Sequence, residues 1–247
     1  MIAALRAGLD AGLTHIDTAE MYGDGTVEEL VGVAIEGRRD EVFLVTKVLP
    51  QHASSAGTRR ALEASLRRLR TDHVDSFLLH WRGRVPLDET MDAMLALRAE
   101  GKTRSIGVSN FDENDIDEVV SLTGPGVIAC NQVLYHLQER AIEHAVLPAC
   151  ARHRIAITAY SPFGSGSFAA KDPTLLRIAK ARRATTRQIA LAFLTRFEHV
   201  LTIPKAASVA HVLENAAAID IVLDDEEIAA IEIAFPLGPK PRDLPTI

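Results

Sequence analysis

Short runs rich in β-branched residues alternate along this chain with longer stretches of helical period, and that alternation limits the possible folds more than any other feature. The runs are Thr14 to Thr18, Val42 to Val48, Val74 to His80, Arg104 to Ser109, Val127 to Val133, Ile155 to Tyr160 and Val200 to Pro204. Such a series predicts parallel strands joined by crossover helices. Between the strands, Gly57 to Leu69 puts Leu62, Leu66 and Leu69 on one face, and Leu87 to Glu100 clusters Met91, Met94 and Leu95. These are the apolar stripes with which helices cover a sheet. No Pro- or Gly-rich linker divides the series, and Gly164 to Ser167 is too short to be one. The whole of residues 1–247 is therefore expected to form one domain, an α/β fold of the (β/α)8 TIM barrel type. A closed barrel of this type needs eight strands, and seven are legible. The series opens on a helix instead, with Ile2, Leu5, Leu9 and Leu13 at helical spacing and Gly12 as its stop. The chain is expected to start at the first barrel helix and to lack the barrel's first strand, which leaves its first and last strands with unpaired edges.

Composition excludes several functions. A hydrophobic fraction of 47% against 24% charged residues supplies a full core and excludes a disordered chain. The net charge of -6, with no basic stripe, excludes a nucleic-acid partner. Arg6 and Asp10 break the alanine-rich start, and no apolar run approaches the roughly 18 residues of a membrane span. Cys130 and Cys150 have neither metal-ligand spacing nor a disulfide framework, which suits a reducing, cytoplasmic location.

Chemistry concentrates where the strands end, the end at which parallel barrels place their active sites. In HIDTAEMYG, residues 15 to 23, alternation puts His15 and Asp17 on one face of the strand, with Tyr22 in the loop above. Lys47 closes the next strand in FLVTKV, and His80 follows in VDSFLLHW. Singly, Asp17 is as well explained by capping a loop, and Lys47 or His80 by a satisfied structural role. Together, on successive strand ends, they form a proton-handling set. A buried ammonium beside a carboxylate favours the phenolate of a nearby tyrosine, which would make Tyr22 a usable proton donor, and a neutral His80 would polarise a carbonyl oxygen. His15 and Asp17 also make a His-x-Asp pair of the kind found in metal-dependent barrel hydrolases, but such sites recruit further histidines and only His80 is well placed, so no metal is expected.

These segments resemble those of the aldo-keto reductase superfamily, from Met1 almost to the C-terminus. The resemblance implies a catalytic tetrad of Asp17, Tyr22, Lys47 and His80, with Tyr22 as general acid in carbonyl reduction, Lys47 and Asp17 tuning its phenol and His80 orienting the substrate oxygen. It also implies a nicotinamide cofactor across the barrel mouth, consistent with the lack of a GxGxxG turn. Ser109 and Asn110 in GVSNF, with Gln132 in CNQ, resemble the residues that hold the carboxamide. Tyr160 in AYSPFGSG resembles the aromatic that stacks on the nicotinamide, and Ser161, Phe163 and Ser165 the loop over the pyrophosphate; Gly164 and Gly166 also fit a plain flexible turn. In TIPKAASVAHVLEN, Lys205 would meet the ribose 2'-phosphate and Glu214 and Asn215 the adenine, beside a helix that starts near Ser208.

This last segment departs from the family pattern. Ala206 stands where serine is common, and His211 where an arginine often grips the 2'-phosphate; histidine binds phosphate less well. The expected cofactor is still NADP(H) rather than NAD(H). Trp81 is expected to wall the substrate pocket, although it could equally pack the rim. The proline-rich tail after Phe235 is expected to cover little of the mouth, which favours small aldehydes and ketones. A monomer is the default, with strand exchange or a dimer as alternatives. The rival to catalysis is a non-catalytic or impaired cofactor-binding subunit on the same fold.

Overall fold

The computed structural model describes residues 1–247. Its elements run α1 (Ile2–Asp10), β1 (His15–Asp17), α2 (Thr26–Ala34), β2 (Phe43–Val48), α3 (Ser55–Leu69), β3 (Val74–Leu79), α4 (Leu87–Ala99), β4 (Thr103–Ser109), α5 (Glu113–Thr123) and β5 (Ile128–Leu134). They continue as α6 (Val146–His153), β6 (Ala156–Tyr160), α7 (Pro173–Arg182), α8 (Thr186–Leu194), β7 (Val200–Thr202), α9 (Val209–Ala216) and α10 (Asp225–Ala234). Every expected strand is present. The seven form one parallel sheet in the order β1-β2-β3-β4-β5-β6-β7, with β1 and β7 as its two edges. This is the curled, helix-covered sheet of a (β/α)8 fold.

Burial explains the pattern. All six residues of β3 are buried, as expected of a parallel strand covered on both faces, and 48 buried residues form one hydrophobic cluster. The helices start where side chains satisfy their free N–H groups. Ser54 caps α3, and the pairs Asp112/Asp115, Thr185/Gln188 and Asp224/Glu227 form reciprocal capping boxes on α5, α8 and α10. The first helix ends at Asp10, so Leu13 lies beyond the helical series into which its spacing placed it, and Gly12 (φ +85°) turns the chain into β1. No helix is long and apolar enough to cross a membrane.

Register sets the site. His15 pairs with Phe43, Lys47 with Leu78, Leu79 with Val108 and Ser109 with Gln132, which brings the strand C-termini to one rim. Toward the other end, a cavity of about 370 Å³ lies among His15, Phe43, Ser76, Cys130, Thr158 and Leu201.

Candidate active site

Asp17, Lys47 and His80 arrive at the rim from β1, β2 and the residue after β3. The Lys47 side chain is fully buried, and its Nζ donates to Asp17 Oδ2 at 2.6 Å and to the Thr18 carbonyl at 2.8 Å. A buried ammonium needs such partners, since desolvation without them costs several kcal/mol, on the order of the whole stability of a domain. The other oxygen of Asp17 accepts from Gln132 Nε2 at 2.7 Å. One carboxylate thus ties β1 to β2 on one side and to β5 across the barrel.

Tyr22 opens a 3-10 turn, Tyr22–Gly25, in which Gly23, Asp24 and Gly25 all have positive φ. That turn folds the half-buried ring back over the rim, 5.1 Å from Lys47 Nζ and edge-on to His80 at 5.9 Å. Burial, followed by the nearby Lys47 charge, pushes the His80 imidazole down to about 4, so it is neutral near pH 7. Its Nδ1 is buried without a partner. The four expected residues are therefore together. Trp81 leans on His80 at 4.9 Å, beside them.

A second hydrogen-bonded group adjoins the four. Ser109 Oγ donates to the Gln132 carbonyl at 2.8 Å. Asn110 adopts φ +60°, and its Nδ2 donates to the His80 carbonyl at 3.2 Å while its Oδ1 accepts from the Tyr160 hydroxyl at 2.9 Å. Burial holds the Tyr160 phenol up at about 12, so it stays a donor. Ser109, Asn110, Gln132 and Tyr160 are thus bonded to one another or to the four.

Beyond Tyr160, the strap of residues 161–172 turns through Ser161, Gly164 and Gly166, all at positive φ. Phe163 is half-buried against Phe168, and Ser165 is exposed. Lys205 and His211 are exposed. Ser208 caps α9 by accepting from the His211 backbone at 3.3 Å. Glu214 accepts from Thr185 Oγ1 at 2.7 Å, and Asn215 is buried in α9. These residues line one ridge, from the end of β7 along α9, with no hydrogen bond to the four.

His15 is not part of the rim set. It stacks on Phe43 at 5.2 Å beside the cavity, and burial lowers its pKa. No group of three or more His, Cys, Asp or Glu side chains is placed to hold a metal ion. The tail corrects one expectation. Although short, it reaches the rim: Lys240 pairs with Glu113 at the start of α5 at 2.5 Å, and Leu244 packs on the core. Its contacts, rather than its length, determine what it covers.

Residue patterns alone missed three supports of the site. The Thr18 carbonyl holds Lys47. Buried Asn131 donates to the Phe111 carbonyl at 2.9 Å and so fixes the loop that carries Asn110. Glu20 accepts from the Leu49 N–H at 2.7 Å and contacts His52 at 3.0 Å, tying the Tyr22 loop to the one after β2. Only Asn131 had a signal, a polar residue at a core position of a strand.

Residues 1–235 match the family model described as "Aldo/keto reductase family". The chain is 45% identical over 239 residues to the methylglyoxal reductase YeaE of Escherichia coli K12, covering 95% of this chain and 84% of that protein. Among solved structures, it superposes on an aldo-keto reductase from Klebsiella pneumoniae in complex with NADPH with a TM-score of 0.96 at 49% identity, covering 100% of this chain and 88% of that one. A thermostable aldo-keto reductase, Tm1743, bound to the inhibitor epalrestat matches with a TM-score of 0.90 at 40% identity, over 96% of this chain and 86% of that one.

Proposed function

The chain belongs to the aldo/keto reductase family and is an oxidoreductase; from that premise we propose that residues 1–247, acting as one domain, reduce small aldehydes and ketones to alcohols with NADPH. Tyr22 is the general acid in this reading. The observation that carries it is the buried Lys47 ammonium, 2.6 Å from Asp17 and 5.1 Å from the Tyr22 ring, with a neutral imidazole alongside.

The residues fit a nicotinamide dinucleotide. Asn110, Ser109 and Gln132 offer the amide and hydroxyl groups that a carboxamide requires, since it both donates and accepts. The face of Tyr160 gives its ring a platform. Lys205 and the N-terminus of α9 offer positive charge to the adenosine phosphates, which favours NADP(H) over NAD(H). When bound, the reduced nicotinamide supplies a hydride to the carbonyl carbon.

The remaining chemistry belongs to this chain. His80, neutral, donates one hydrogen bond from an imidazole N–H to the substrate oxygen and orients it. Tyr22 passes its phenolic proton to that oxygen as negative charge develops there, and Lys47 stabilises the phenolate left behind. Asp17 holds the ammonium in place while Gln132 holds Asp17. Trp81 and the tail narrow the mouth and exclude water. The E. coli relative is named for methylglyoxal, and a compact aldehyde of that kind suits a mouth narrowed by the tail. We place the enzyme in the cytoplasm, as a monomer.

The test is NADPH oxidation with an aldehyde panel that includes methylglyoxal, run on the wild type and on Tyr22→Phe. Turnover in the variant should fall about a hundredfold or more, the scale of a lost general acid, with NADPH affinity unchanged. Wild-type turnover in Tyr22→Phe would refute the assignment. A wild type that binds NADPH but turns nothing over would favour the non-catalytic reading.

A further inference from the structure

The guanidinium of Arg187 is exposed and has no hydrogen bond or ion pair, yet it is not loose. It lies over Phe163 at 4.9 Å and over Phe168 at 5.3 Å, two rings that themselves meet edge-on at 5.4 Å. Stacking on aromatic faces stabilises and orients a guanidinium while leaving its in-plane donors unused. The cation is thus held in position with its hydrogen-bonding edge free.

Its location gives that edge a purpose. Arg187 is the second residue of α8. On one side is the strap of residues 161–172, which contributes both phenylalanines. On the other is α9, whose Glu214 is bound to the start of α8 through Thr185 Oγ1 at 2.7 Å and through Gln188 Nε2, which donates to the Glu214 carbonyl at 2.8 Å. Arg187 therefore stands between the α9 ridge, which the proposed function assigns to the adenosine phosphates, and the strap, whose Ser161, Phe163 and Ser165 resemble the family's loop over the pyrophosphate. Those segments are short of permanent charge. Lys171, where the strap meets α7, and Lys205 are their permanent cations, and His211 is charged only when protonated.

We propose that Arg187 is a phosphate-binding residue of the nucleotide site, its guanidinium laid on Phe163 and Phe168 and pairing with phosphate oxygens of the dinucleotide. This rests on the reading that the chain binds a nicotinamide dinucleotide. The contact joins the strap to the ligand, because the side chain that meets the phosphate also packs on the strap. Arginine suits this role better than lysine, since its planar fork both stacks and pairs in bidentate fashion.

The test compares NADPH and NADH affinity, at low and high salt, for the wild type, Arg187→Gln and Arg187→Lys, with urea denaturation to establish that each is folded. Arg187→Gln should weaken binding about tenfold, the loss of one charge-assisted hydrogen bond, and should flatten the salt dependence. Arg187→Lys should recover part of both. Equal weakening of NADPH and NADH identifies the pyrophosphate as the partner, and weakening of NADPH alone identifies the 2'-phosphate. Unchanged affinity for both nucleotides overturns the proposal. So does an equal loss in both variants with an unchanged salt dependence, which would mean that Arg187 only packs the strap. A folded wild type that binds neither nucleotide refutes the functional reading itself, and this inference with it.

Discussion

Asp17 is the residue on which the site's electrostatics turn, because its two oxygens hold Lys47 at 2.6 Å and Gln132 at 2.7 Å. Replacing it with leucine would strand a fully buried ammonium. Asp17→Leu should therefore lower stability by about 3–5 kcal/mol, measured as a shift of the urea midpoint, far more than a surface carboxylate would. His80 makes a different, pH-dependent contribution. Its imidazole titrates near 6.5 when unfolded and at about 4 in the folded protein, so between those values the unfolded chain binds more protons. Stability from this group is present in full above pH 6.5 and is lost as the pH falls toward 4. Urea midpoints taken across that window should fall less steeply for His80→Gln than for the wild type; parallel curves would mean that His80 is not a buried neutral group. Asp17, Tyr22, Lys47 and His80 were legible because strand ends in a parallel barrel face one rim. The Gln132–Asp17 bond was not, since it joins residues 115 apart and depends on curvature that no local pattern encodes.

At the level of elements, the Tyr22 turn is held from below by α2. Glu28 on that helix is fully buried, accepting from Thr46 Oγ1 at 2.5 Å and from Arg68 Nε at 2.6 Å. Glu28 lies in the first turn of α2, where acids are common, and its burial becomes visible only once its partners are assembled around it. The same helix meets α3 through Gly32, where a Cβ would lie 2.7 Å from the Arg68 carbonyl oxygen and 2.9 Å from that of Leu69. Backbone cannot swing aside as a side-chain tip can. Gly32→Ala should cost about 1–3 kcal/mol by overpacking, despite alanine's better helix propensity, and a melting temperature equal to or above the wild type's would contradict so close an approach. All seven strands and the helices α1, α3, α4 and α9 were legible, because hydrophobic periodicity is local. The path of the tail was not, since Lys240 finds Glu113 across 127 residues.

For the molecule as a whole, the open question is whether a parallel sheet with β1 and β7 as edges behaves as one cooperative unit. The two cysteines can report on it. Cys130 keeps part of its surface on the cavity between the strands, while Cys150 is buried on the inner face of α6, and burial pushes both thiols up to about 12. Thiolate is the reacting species, so both should resist a thiol-reactive disulfide reagent in the native state and react only through opening. The 48-residue cluster spans helices and strands from Leu9 to Phe235, so no part of the sheet has a core of its own to fall back on. Cys130 and Cys150 should therefore label at the same slow rate, with an opening free energy equal to that from urea denaturation. If the edge strands instead detach as a separate unit of lower stability, Cys130 will label well ahead of Cys150. Gln132, two residues from Cys130, would then lose Asp17 in the same opening, and the fraction of molecules able to turn over substrate would fall with the edge rather than with the fold.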